Sequence, residues 1–211
     1  YYIMVKCLEL FCGTKSFKKS CPDDWEVVSV DILKKFNPDI CCDVLDLDYK
    51  SLWKEGEFDI IWLSPPCRFF SQARTSYLGK VVKFHNKVLT HELMREDELN
   101  HGLPPVHRGL EIVDYLKPKY WFMENPVGRL KNYITDRHFV RVDYCMFGFD
   151  YKKPTMIWTN RTDIKDVKCD CKKQGKKHLS WDKVKGGGGN ATTRYRLPPK
   201  LFDYLLEGCV F

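Results

Sequence analysis

Short runs rich in β-branched and aromatic residues recur along this chain, at Val5–Leu10, Glu26–Ile32, Ile40–Val44, Phe58–Leu63, Lys119–Met123, Phe139–Met146 and Thr155–Thr159, each bounded by turn residues. Between the fourth and fifth runs, Leu110, Val113 and Leu116 recur at helical spacing and Pro118 follows as a stop. Strand-like runs alternating with helical stretches specify an α/β domain: a mixed, mostly parallel sheet with helices on both faces. At 211 residues the chain is long enough to bury such a core without covalent staples.

Composition removes several classes. No apolar run approaches the roughly 20 residues that cross a bilayer, and no charged-then-apolar leader opens the sequence. Ten cysteines are scattered over a full-sized core, with Cys41 and Cys42 adjacent, which predicts reduced thiols and an intracellular setting instead of a disulfide framework. The net charge of +7 is unevenly placed: residues 161–189 hold nine basic side chains against four acidic ones. That stretch ends in four glycines, so it reads as a small basic lobe with a Gly-rich tether, over residues 161–190, that would meet phosphates. A core over residues 1–160 precedes it, and "PPKLFDYLLEG", within residues 191–211, predicts a closing helix that returns to the core. Residues 68–107 are long, polar and irregular, which predicts either a lid or a disordered insertion.

In open α/β sheets ligands bind beyond the carboxyl ends of the strands, and here those ends carry chemistry. Gly13, after the first run, permits a tight turn and a close backbone approach. Asp31 ends the second run, where a carboxylate can accept from ribose hydroxyls, and Asp43 ends the third, where it can accept from an adenine amino group. The fourth run stops at Ser64-Pro65-Pro66-Cys67, and two prolines stiffen the backbone so that the thiol is held at the strand end. The fifth ends in Glu124 and Asn125, which a neighbouring strand would place beside Cys67. A positioned thiol, a carboxyl group and a nucleoside-type pocket suit methylation of cytosine at C5. That carbon is a poor nucleophile until a thiolate adds at C6 and converts the ring to an enamine. Glu124, protonated, would bond N3 and the exocyclic amine, and Asn125 would hold the strand end.

"LELFCGTKSF", "VVSVDI", "SPPCRFFS" and "WFMENP", in this order and spacing, resemble the DNA (cytosine-5) methyltransferases, particularly the compact forms of phages and large DNA viruses. The resemblance covers about Val5 to Asn160, with a weaker echo near Asn190. It implies a Rossmann-like, S-adenosylmethionine-dependent methyltransferase fold, with the cofactor held by Phe11, Cys12, Gly13, Thr14, Asp31, Ile32, Asp43, Val44, Pro65 and Asn190. It further implies that Cys67 is the nucleophile, with Glu124 as its partner. The target base would be flipped out of duplex DNA, with Arg68, Ser71, Arg74, Lys80 and Lys83 on the loop that closes over it and Lys172, Lys173, Lys176 and Lys177 on the basic lobe.

The chain departs from that pattern at several places. Lys15 replaces a loop glycine, Arg68 a glutamine and Pro126 a valine. "YKKPT", Tyr151 to Thr155, stands where the family has Gln-x-Arg-x-Arg, leaving Lys153 to replace the arginine that braces the base. Three other readings keep a similar fold: an amino-group methyltransferase acting on cytosine N4 or adenine N6, a cytosine-5 enzyme acting on transfer RNA, and a catalytically silent binding protein. Cys169, Cys171 and His178 offer three zinc-type ligands without an obvious fourth, so unliganded thiols are the expectation there and no metal is assigned.

Overall fold

The protein is described by a computed structural model covering residues 4–180, 184 and 195–211. In chain order its elements are β1 Lys6–Leu10, β2 Glu26–Asp31, β3 Ile40–Cys41, α1 Tyr49–Leu52, β4 Ile60–Leu63, β5 Val81–Val82, β6 Lys87–Val88, α2 His91–Asp97, α3 Leu103–Leu116, β7 Tyr120–Pro126, β8 Phe139–Asp143, β9 Pro154–Thr159 and α4 Pro199–Leu206. Strands β5 and β6 form a separate hairpin, and the other seven make one sheet in the order β3-β2-β1-β4-β7-β9-β8. All pairings up to β4–β7 are parallel, and β9 runs antiparallel to both of its neighbours. The expected mixed, mostly parallel α/β architecture is present.

Side-chain alternation explains why helices cover both faces. On β4, Ile61 and Leu63 join one core with Leu110, Val113 and Leu116 of α3, while Ile60 and Trp62 join the other with Leu201 and Phe202 of α4. Every residue of β4 is buried, as a strand covered on both faces requires, and each such side chain contributes about 1.5–3 kcal/mol. Several strand ends differ from the sequence expectation: β2 stops one residue early at Asp31, β7 runs on past Met123 to Pro126, and β3 and β8 are each cut short. β3 stops at Cys41, because Asp43 starts a turn in which Leu45 N donates to its Oδ1 at 3.0 Å. β8 stops at Asp143, and residues 144–147 coil into a 3-10 turn ended by Gly148 at φ 96°.

Residues 68–107 are folded. Ser71 caps a 3-10 turn over Gln72–Tyr77 by accepting from Ala73 N at 3.2 Å. The β5–β6 hairpin follows, then α2, a single π turn at Glu98–Gly102 and α3. Buried acids organise this polar stretch: Asp97 pairs with Arg74 and His85, while Glu98 pairs with Arg129 and accepts from Tyr133 Oη at 2.7 Å. Burial makes ion pairs that would be nearly worthless on the surface strong restraints on geometry. The basic lobe begins as an added edge: Val167 bridges Val142, and Asp143 N donates to Val167 O at 2.9 Å. The glycine run and Asn190 lie outside the described residues.

Candidate active site

Strand β1 sits where the sheet order reverses, with β2 and β3 on one side and β4 and β7 on the other. Such a switch point opens a crevice at the strand ends. A cavity of about 1240 Å³ lies there, lined by the carboxyl ends of β1 to β4 and of β7.

On the β1–β3 side the wall is turned backbone. Phe11, Gly13 and Lys15 all have left-handed φ values, of 57°, 47° and 56°. The lysine that replaces a glycine therefore keeps the glycine-like turn, although a side chain there costs about 1–2 kcal/mol. Asp31 fixes the turn, accepting from Gly13 N through Oδ2 and from Leu33 N through Oδ1, both at 2.8 Å. Phe11, Cys12, Gly13, Asp31, Ile32, Asp43, Val44 and Pro65 all line the cavity. Thr14 lies outside it, with its hydroxyl 3.0 Å from that of Ser16. Burial pushes the Cys12 thiol up to about 12, which leaves it a neutral packing group.

Beneath this turn lies a residue the motif analysis passed over. Glu9 on β1 is buried, and its two oxygens accept from Phe17 N and Lys18 N, each at 3.2 Å. Burial pushes its carboxyl up to about 7 against the opposing pull of those two bonds. An acid within an apolar strand run was the available signal.

On the β4–β7 side the wall is made of side chains. Cys67, half-buried, follows the two prolines, and its carbonyl accepts from Phe70 N and Ser71 N at 3.0 Å. Burial raises its thiol above the usual value, the charge of Glu124 raises it further, and Lys153 acts in the opposite direction. Glu124 lies in the adjacent strand and lines the same cavity. Its Oε1 accepts from Tyr144 Oη at 2.7 Å, and Lys153 Nζ lies 3.5 Å from the same oxygen. Burial, followed by the charge and hydrogen bond of Glu124, holds the Tyr144 phenol well above its ordinary range, so Tyr144 remains a donor. Lys153 thus reaches the carboxylate, a contact its position in "YKKPT" did not predict. Tyr144 carried no motif signal and is found only through the packing of β8 and β9 against β7.

Asn125 is fully buried and absent from the cavity wall. Its Nδ2 donates to Pro65 O at 3.0 Å, which ties β7 to the turn bearing Cys67 and makes it a positioning residue. Ser64 accepts from Trp62 Nε1 at 2.8 Å, so it too is a brace.

The basic residues expected to meet phosphates divide into two groups. Arg74 is turned toward buried Asp97, and the Arg68 guanidinium stacks 4.3 Å from the Phe69 centroid and 4.5 Å from that of Phe84. Lys80, Lys83, Lys172, Lys173, Lys176 and Lys177 are exposed. Arg141 and Lys152, not singled out from the sequence, also line the cavity.

The sheet, with a crevice at its switch point, is of the Rossmann-like α/β class, a fold shared with a solved methyltransferase. The methyltransferase EhMeth of Entamoeba histolytica superposes with a TM-score of 0.50 at 15% identity, over 80% of this chain and 57% of that one. DNMT2 of Spodoptera frugiperda gives 0.46 at 19% identity, over 79% and 55%. This chain therefore spans little more than half the length of either. No protein-family model matches the sequence. A probable DNA (cytosine-5)-methyltransferase of Frog virus 3 (isolate Goorha) is 36% identical over 97% of this chain and all of the viral protein. The chain belongs to the DNA (cytosine-5) methyltransferase family.

Proposed function

We propose that the protein methylates C5 of cytosine in double-stranded DNA, with S-adenosylmethionine as donor and Cys67 as covalent nucleophile. The observation that carries this reading is that Cys67, on the turn after β4, and Glu124, on the neighbouring parallel strand β7, line one cavity whose other wall is the β1–β3 turn. Phe11, Gly13, Asp31, Asp43 and Val44 would hold the cofactor, which when bound supplies an electrophilic methyl group. The residues fit that role: a left-handed backbone turn at Gly13 and two strand-end carboxylates are what a ribose and an adenine require.

The chain's own part follows from the side-chain wall. Cys67 Sγ adds to C6 of the flipped base, and the ring's electron density shifts to C5. Glu124, with Oε1 fixed by Tyr144 and Lys153, presents its carboxyl to the N3 edge. In the resting site the charge of Glu124 opposes ionisation of Cys67. As the sulfur adds, the thiol gives its proton to water and the ring takes one up at N3, the edge that the Glu124 carboxyl faces. After methylation, water takes the C5 proton, the electron pair of that C–H bond forms the C5–C6 double bond, and the C6–S bond breaks to release the thiolate and the base. The exposed lysines of the β5–β6 hairpin and of the basic lobe would meet phosphates on either side of the target.

The test is duplex DNA containing 5-fluorocytosine, incubated with protein and S-adenosylmethionine and run on a denaturing gel. Fluorine at C5 cannot leave as a proton does, so a covalent adduct should accumulate and should vanish in Cys67→Ser. Methylation of an amino group without an adduct, or an adduct that survives Cys67→Ser, refutes the reading.

A further inference from the structure

Cys145, Cys169, Cys171 and His178 bring three sulfurs and one imidazole nitrogen within 4.8 Å of one another. We propose that these four residues form a structural zinc site that fastens the basic lobe to the catalytic core.

The donor set is the first argument. Three thiolates and one imidazole are a ligand combination of closed, structural zinc sites, which carry no open position for water. The spacing is the second. Bonds of about 2.3 Å to sulfur and 2.0–2.1 Å to nitrogen give a tetrahedral edge of about 3.6 Å, and Cys169 Sγ lies 3.5 Å from His178 Nε2. The other ligand atoms lie within 4.8 Å of one another, so each remaining edge needs to shorten by about 1 Å at most.

The third argument is how the backbone delivers the ligands. Cys169 N donates to buried Asp143 Oδ2 at 2.8 Å, which sets the start of the Cys-x-Cys segment against the end of β8. Cys171 O then accepts from Gln174 N at 3.1 Å and from Lys176 N at 2.9 Å, and Gly175 takes φ 68°. That tight reversal returns His178 to Cys169, and Leu179 N closes the loop on Asp150 O at 2.7 Å. Cys145 comes from elsewhere in the chain, in the 3-10 turn after β8. The lobe has little apolar surface with which to fold: between residues 161 and 180 only Ile164 and Cys171 are buried. A crosslink between core and lobe supplies what a hydrophobic contact does not.

The consequence for the rest of the molecule is positional. Tyr144, which fixes Glu124, is bonded directly to Cys145, so the metal would hold both the lysine-bearing lobe and the turn supporting the carboxylate. This inference does not depend on the methyl-transfer reading, and its test is separate.

Elemental analysis of the purified protein should find one zinc per chain. After stripping with a chelator, cobalt should restore binding with the strong visible bands of a tetrahedral site and thiolate-to-cobalt charge transfer. Zinc added to the stripped protein should protect three of the ten thiols from a thiol reagent. Cys145→Ser and Cys171→Ser should lose the stoichiometric metal, while Cys41→Ser, outside the cluster, should keep it. A wild-type protein that takes up neither metal, or a disulfide among Cys145, Cys169 and Cys171 in the reduced preparation, overturns the proposal. So does full metal content in Cys145→Ser. The thiol-protection count on wild type decides the matter even if a variant does not fold.

Discussion

The cavity wall along β1, β2 and β3 is shaped by turned main chain braced by carboxylates, and the wall along β4 and β7 carries the reactive side chains. On the first, carboxylates of Asp31 and Asp43 brace backbone amides one or two residues beyond a strand end or a loop away. On the second, the reactive groups stand directly in the space, and each is held by a residue from a different strand or turn: Glu124 by Tyr144 and Lys153, and the Cys67 turn by Asn125. A main-chain wall suits a ligand common to many reactions, because amides and carbonyls recognise shape and hydroxyls without side-chain chemistry. A side-chain wall suits the reacting base, where proton positions decide the outcome. Substitutions should therefore separate the two: changes on one wall should alter cofactor affinity, and changes on the other should alter turnover.

The largest effect should come from Glu124→Gln. Replacing the carboxyl group by an amide of the same shape should lower kcat by about 10²–10³-fold, with the dissociation constant of S-adenosylmethionine, measured by calorimetry, unchanged. A loss of cofactor affinity equal to the loss of turnover would dissolve the distinction between the walls.

Next in size is a pH effect on the main-chain wall. Burial raises the Glu9 carboxyl from its usual 4.5 to about 7, so the folded protein binds this proton more tightly than the unfolded chain. Stability from this group is fully present below pH 4.5 and declines as pH rises toward 7, by about 2–3 kcal/mol. Urea denaturation of Glu9→Gln, relative to wild type, should show that decline removed. A difference that stays constant across this range would mean the carboxyl is not protonated in the folded state.

Asp31→Asn should have the smallest effect. The two oxygens of Asp31 accept from two amides, and an asparagine turns one acceptor into a donor facing an N–H group. Cofactor affinity should fall about tenfold, the loss of roughly one satisfied hydrogen bond. The kcat at saturating cofactor should be preserved, and a drop in kcat with unaltered affinity would contradict the assignment.

The same contrast explains how far the sequence could be read. Gly13, Asp31, Asp43 and the Pro65–Cys67 turn follow four different apolar runs, so strand pattern and turn chemistry alone put them at the carboxyl ends of the strands. Residues 68–107 misled because polarity was read as irregularity, whereas buried Asp97 and Glu98 find their arginine partners only in three dimensions. The zinc-type ligands looked one short, since Cys145 sits within "YCMFGF" and shares no local spacing with the other three.

What the sequence determined by itself was the alternation of strands and helices and the identity of the groups at the strand ends. Both follow from periodicity and backbone stereochemistry, which act over a few residues. What the tertiary structure decided was which distant side chains support those groups: Tyr144 and Lys153 at Glu124, Asn125 beneath Pro65, and Cys145 beside Cys169. Those contacts depend on the order in which strands pair, and a long-range pairing leaves no trace in the local pattern of either partner.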